Sequence, residues 1–298
     1  MFASVNGIKL FFDIEGAGSV PEGPRMKEKP VCFVLHGGPG GDHTGFKPGL
    51  SPLAEHMQLV YIDNRGSGKS EKGPRSTYTL DNNVEDIEAL RKHLGLEKIV
   101  LLGQSYGGMT AMEYARRYQE HLLGLILVVT APSYKFIERA KEIVKERGTS
   151  EQQEMAQVLW DGSFVSNEQQ YKYYEVMAPL YTYSYQDTPD AVEARKNAQQ
   201  RSNRSYEALN EGFAGFLREF DVTESLSSYK IPTLIIGGRH DWITPIEASI
   251  LMNEQIPNSK LVIFENSSHS VLKDENDKFI STVNSFVNEE LVNKVQFI

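Results

Sequence analysis

Apolar residues recur along the chain in two alternating rhythms. Short, nearly unbroken runs stand at Val31-Cys32-Phe33-Val34-Leu35, Leu59-Val60-Tyr61-Ile62, Ile99-Val100-Leu101-Leu102, Leu125-Ile126-Leu127-Val128-Val129, Thr233-Leu234-Ile235-Ile236 and Leu261-Val262-Ile263-Phe264. Runs of this length, bounded by Gly, Pro, Asn or Asp, read as strands buried on both faces. Between them lie helical patterns. Over 79–94, Val84, Ile87, Leu90 and Leu94 share one face, and Gly95 stops the helix. Further helices are expected over 246–255 and from about 275 to 292. Asn6-Gly7 predicts a tight hairpin within residues 2–15, with Ile8, Leu10 and Phe12 alternating after it, whereas residues 16–30, rich in Gly, Pro and charge, read as a loop. Strands alternating with helices predict a mostly parallel α/β sheet, with its chemistry beyond the C-terminal ends of the strands.

The rhythm changes between 133 and 228. No strand pattern stands there, only helical and polar stretches broken at Pro179 and Pro189. The chain therefore divides into a first core segment over 1–132, a helical cap over 133–228 and a second core segment over 229–298. Six tyrosines (171, 173, 174, 181, 183 and 185) crowd the insertion. Most are expected to pack within its own core, and the rest to form an apolar wall over the site.

Composition narrows the function. The chain has 298 residues and a net charge of −9, from 31 basic and 40 acidic side chains. An acidic balance disfavours nucleic acid, whose phosphates need a basic face. The single cysteine, Cys32, lies in a strand run and reads as a small buried hydrophobe. No stretch approaches the ~20 apolar residues of a membrane-spanning helix. The expectation is a soluble, cytoplasmic protein with no membrane partner.

The chemistry centres on Gly103-Gln104-Ser105-Tyr106-Gly107-Gly108, between a strand run and a helical pattern. Strand, G-x-S-x-G and helix form the context of a nucleophile elbow. The turn is so tight that side chains two positions either side of the serine would collide. Serine is a poor nucleophile without a base. His269 follows the last strand run, and Asp241 follows the run at 233–236. The order Ser105, Asp241, His269 is that of the α/β-hydrolase triad, with Asp241 orienting the imidazole. The plain alternatives are a Gly-rich turn, a loop-capping aspartate and a surface histidine. Their joint occurrence in this order, each at a strand end, favours the triad. His240 adjoins Asp241 in sequence and is expected to point elsewhere. An oxyanion hole is assigned to the backbone N–H groups of Gly38 and Tyr106. His36, Asp42 and His43 lack the spacing of a metal site, and neither metal nor organic cofactor is expected. Gly66-Ser67-Gly68-Lys69-Ser70 resembles the end of a phosphate loop, but Asp63 occupies the place of its first glycine. It reads as a structural turn beside the site.

His36-Gly37-Gly38-Pro39-Gly40, Asp63-Asn64-Arg65-Gly66-Ser67-Gly68-Lys69-Ser70 and the elbow together resemble the proline iminopeptidase family of α/β-hydrolases. The similarity runs along essentially the whole chain and is weaker over 133–228. It implies an α/β-hydrolase fold, a sheet of about eight strands under a helical cap, and removal of an N-terminal residue, often proline, from short peptides. It also implies acidic side chains that read the substrate amine. Glu211 stands near the place of the cap glutamate. Trp242 stands beside Asp241, where some relatives carry Glu. That departure shifts weight toward an ester, lactone or amide with a bulky apolar acyl group. Three readings follow: an iminopeptidase-like serine hydrolase working through an acyl-enzyme, a carboxylesterase or lactonase acting on a small molecule, and a non-catalytic receptor on the same fold.

Overall fold

The computed structural model describes residues 1–292; positions 293–298, the end of the second core segment, lie outside the described residues. Eight strands form the main sheet: β1 (Phe2–Val5), β2 (Ile8–Glu15), β5 (Val31–Leu35), β6 (Gln58–Ile62), β7 (Ile99–Gln104), β8 (Leu122–Val128), β9 (Thr233–Gly238) and β10 (Ser259–Phe264). Their spatial order is β1-β2-β6-β5-β7-β8-β9-β10. The pairs β1/β2 and β2/β6 are antiparallel, and every later pair is parallel. Asn6 and Gly7 both take positive φ, at 44° and 77°, and close the first hairpin as a tight turn.

Residues 16–30 depart from expectation. They hold a second, two-stranded sheet of β3 (Ser19–Glu22) and β4 (Arg25–Glu28). Its residues are intermediate or exposed. A hairpin with no buried face carries no apolar alternation by which to recognise it.

The unbroken strand runs arise because both sheet faces are covered. Phe33 and Leu35 of β5 pack with Val84, Ile87 and Leu90 of α1 (Leu80–His93) and with Met112 of α2 (Tyr106–Tyr118). Cys32 and Val34 face the other way and join Phe279 and Val283. The Cys32 thiol is fully buried, and burial pushes its pKa up to about 12. It is an inert core group.

Between β8 and β9 the described residues hold five α-helices: α3 (Phe136–Arg147), α4 (Ser150–Asp161), α5 (Asn167–Tyr181), α6 (Pro189–Arg201) and α7 (Tyr206–Ala214). The chain leaves and re-enters the core at one neck. There Ser133 bridges Asp221, Tyr134 N–H donates to Phe220 O at 2.9 Å, and Val222 N–H donates to Pro132 O at 2.9 Å. Pro189 begins α6 as expected of a break, because a first-turn N–H has no helical acceptor anyway. Pro179 does not break the chain but lies in the last turn of α5. After β9 come α8 (Ile246–Gln255), a short α9 (Val271–Asp274) and α10 (Asn276–Phe286). A π-helical segment, Val287–Val292, continues α10. No helix among the described residues is long and apolar enough to cross a membrane.

Candidate active site

Ser105 sits between β7 and α2 with φ 55° and ψ −122°, a conformation L-residues rarely adopt. Backbone bonds pin it: Ser105 N–H donates to Val128 O at 2.9 Å, and Gly108 N–H donates to Ser105 O at 2.8 Å. The Thr130 hydroxyl also donates to Ser105 O, at 2.7 Å. The glycines on either side are required by contact. A Cβ on Gly103 would overlap the Gly107 carbonyl, and one on Gly107 would overlap the Leu35 carbonyl. The chain can therefore reverse from strand to helix against β5 only with bare backbone at both positions.

Asp241 and His269 occupy the loops after β9 and β10, and both are buried. His269 Nδ1 lies 2.7 Å from Asp241 Oδ2. The same carboxylate accepts from Ile243 N–H at 2.9 Å, Thr244 N–H at 3.0 Å and the Thr244 hydroxyl at 2.8 Å. These bonds hold Asp241 as an acceptor, so His269 Nδ1 carries the proton and Nε2 is left as the basic nitrogen. Thr244 also lies 3.3 Å from His269 Nδ1. It is a site residue that the sequence reading missed. Its signal was Asp followed by Thr three positions later, the spacing of a carboxylate-capped turn.

Ser105 and His269 line one cavity of about 550 Å³. Gly38 and Tyr106 line it too. Neither of their backbone N–H groups donates to a protein acceptor among the described residues. The Tyr106 N–H opens α2, where unsatisfied donors and the helix dipole favour negative charge. Behind them, His36 Nε2 accepts from Asn64 N–H at 3.1 Å, and its Nδ1 donates to Gly37 O at 2.8 Å. Burial lowers the His36 pKa, consistent with this neutral tautomer. Asp42 accepts from Thr44, Ser202 and Asn203, and His43 Nδ1 lies 2.9 Å from Asp63. Among the described residues no group of three or more His, Cys, Asp or Glu side chains is arranged to hold a metal ion. The 66–70 turn is anchored to its surroundings through Ser70, whose hydroxyl donates to Asp63 O at 2.6 Å and accepts from Phe11 N–H at 2.8 Å.

The two expected specificity residues are not on the cavity. Glu211 lies on α7, which presents Leu209 and Phe213 to it. At about 100° per residue, position 211 falls roughly 200° from each, on the helix's other side. Trp242 is 1% exposed and belongs to the apolar core. It packs edge-on against Tyr181, and Ile243 and Thr244 take the places on the cavity wall. The tyrosines also differ from expectation. Tyr171, Tyr174, Tyr181 and Tyr185 line the cavity, and of the six only Tyr173 is fully buried. His240 points away as expected, its ring stacked 4.6 Å from that of Tyr183.

The family model for the alpha/beta hydrolase fold matches residues 30–276. A proline iminopeptidase of Saccharolobus solfataricus is 33% identical over 267 residues, covering 86% of this chain and 84% of that protein. Proline iminopeptidase PfmaB of Pestalotiopsis fici is 32% identical, covering 95% of this chain and 98% of that protein. The crystal structure of a proline iminopeptidase from Mycobacterium smegmatis superposes with a TM-score of 0.76 over 99% of both chains; at 19% identity it speaks to the fold alone. The chain is a serine hydrolase enzyme and belongs to the alpha/beta hydrolase fold family, among its proline iminopeptidase-like members.

Proposed function

We propose that the protein removes the N-terminal residue of short peptides through an acyl-enzyme on Ser105. Ser105 Oγ attacks the scissile carbonyl carbon while His269 Nε2 takes its proton. The carbonyl oxygen gains negative charge and is received by the N–H groups of Gly38 and Tyr106. The C–N bond then breaks, and His269 returns the proton to the leaving amine. Water, deprotonated by His269, attacks the acyl carbon; the bond to Ser105 Oγ breaks, His269 returns the proton to Oγ, and the acid product leaves. Asp241 holds the imidazole tautomer and stabilises the imidazolium, and Thr244 holds Asp241. Residues 133–228 act as the cap that closes the acyl pocket and excludes water. His269, held from behind by Asp241 and sharing a cavity with Ser105 at an elbow, carries the hydrolase reading. The iminopeptidase relatives carry the choice of peptide.

One observation favours an ester or lactone instead. With Glu211 and Trp242 off the wall, the lining carboxylates are Asp42, Glu175 and Asp187. Asp42 is saturated by hydrogen bonds, while Glu175 and Asp187 are exposed and pair with Lys172 and Arg195. None is a buried, free anion for an ammonium group. Turnover of proline naphthylamide against p-nitrophenyl esters and acyl lactones decides. A higher kcat/KM for the naphthylamide supports the peptidase; hydrolysis of esters or lactones alone overturns it.

A further inference from the structure

We infer that Arg204 receives a carboxylate on the leaving-group side of the substrate, so that the preferred peptides are tripeptides with a free C-terminus. The inference rests on the peptidase reading above and adds to it the identity of the far end of the substrate.

Arg204 is a partly buried cation lining the same cavity as Ser105. Among the described residues its guanidinium has no carboxylate partner and no hydrogen bond, and it stacks 4.1 Å over the Tyr174 ring. The other cations of the cavity are accounted for. Lys47 pairs with Asp13 at 2.6 Å, Arg195 pairs with Asp187 at 3.5 Å, and Lys196 and Arg201 are exposed to water. A guanidinium stacked by its face keeps its N–H edge free, in the plane that a carboxylate matches bidentately.

Its place is fixed by its neighbours. The Ser202 hydroxyl and Asn203 N–H both donate to Asp42, Gly68 N–H donates to Asn203 O at 3.1 Å, and Ser205 N–H donates to Gly40 O at 2.8 Å. Residues 202, 203 and 205 are thus tied to core loops beside the elbow, while Arg204 between them is left to the cavity. A pre-positioned charge spends little ordering entropy on binding.

The wall tells which end of the substrate it meets. Arg204 stacks on Tyr174, Tyr174 lies 5.9 Å from Tyr181, and Tyr181 lies 5.5 Å from His269, ring to ring. His269 protonates the leaving amine, so the surface continuing from it is the leaving-group wall. Two leaving residues at ~3.5 Å each, with hydrogen-bond reach at both ends, extend about 13 Å, comparable with the ring-to-ring path from His269 through Tyr181 and Tyr174 to the guanidinium. Burial raises the Tyr181 hydroxyl well above its ordinary pKa, and the Arg204 charge pulls against that rise, consistent with the two groups sharing the wall.

The test compares Pro-Phe-Gly with Pro-Phe-Gly-amide, each with two leaving residues, in the parent, Arg204→Gln and Arg204→Lys proteins. The expected result is a roughly tenfold higher kcat/KM for the free acid, the size of one charge-assisted pair. It should act through KM, fall to near parity in Arg204→Gln and be partly kept by Lys. The ratio reads the carboxylate alone, because damage to fold or triad lowers both values. No preference in the parent, or a preference that survives Arg204→Gln, overturns the inference. A second measurement stands apart from peptide cleavage: inhibition of p-nitrophenyl acetate hydrolysis by the leaving dipeptide Phe-Gly against Phe-Gly-amide. If no proline peptide is cleaved, the peptidase reading falls. Tighter inhibition by the free acid, lost in Arg204→Gln, then still supports the carboxylate site, and equal inhibition overturns it.

Discussion

The carboxylate of Asp241 meets the imidazole of His269 at 2.7 Å, across 28 positions of chain. Two loops from neighbouring parallel strands make this contact, and Thr244 braces it. Asp241→Asn leaves an oxygen to cap Ile243 and Thr244 but replaces the acceptor that sets the His269 tautomer. The fold should survive, and kcat should fall by about 10⁴. Thr244→Val removes one bond from the carboxylate and should lower kcat less, with KM little changed. Steady-state kinetics and circular dichroism of both variants check this.

Gly107 approaches the Leu35 carbonyl too closely for any side chain. Gly107→Ala must push α2 away from β5 or break the elbow. A loss of about 3 kcal/mol or more is expected, of the order of core overpacking at its worst. Thermal unfolding reads it as a much lower midpoint or as failure to yield soluble protein.

Glu211 and Trp242 should not act as specificity residues. Glu211→Gln is expected to leave KM and kcat unchanged for both free-amine and neutral substrates, because the side chain lies away from the cavity wall. Trp242→Glu should lower stability without creating an amine site, because it places a charge in the apolar core behind Tyr181. Paired kinetics and melting curves separate these outcomes from a pocket role.

Glu88 is buried under Tyr114. Burial alone would raise its pKa, but hydrogen bonds from Arg91, Tyr114 and Lys92 prevail and hold it at about 2, against an ordinary 4.5. A depressed carboxylate stabilises the fold fully above its unfolded pKa, and that contribution is lost as pH falls through the folded one. Glu88→Gln should therefore cost about 3 kcal/mol at pH 7, since it strips a buried cation of its partner. The gap from the parent should close as pH falls from 4.5 toward 2, measured by urea unfolding at each pH.

The legible features were those whose residue types are forced by local geometry. Gly103 and Gly107 have no substitutes where strand turns to helix, and the runs around Phe33, Leu101 and Ile235 must be apolar on both faces. What was not legible depends on helix phase and loop direction. The side that Glu211 takes follows from Leu209 and Phe213 facing the cavity, which its acidic type does not reveal. The inward turn of Trp242 follows from Asp241 capping the N–H groups two and three residues on, which leaves Ile243 and Thr244 at the wall. The burial of Glu88 rests on Tyr114 of the next helix, 26 positions away in sequence.

The most direct test of Ser105 as nucleophile is mass spectrometry of the intact and digested protein after a fluorophosphonate probe. One adduct is expected, on the peptide carrying Ser105, with loss of all turnover; Ser105→Ala should fold, take no adduct and show no turnover above background. An adduct on another residue, or a Ser105→Ala protein that still hydrolyses a good substrate near the parent rate, would contradict it.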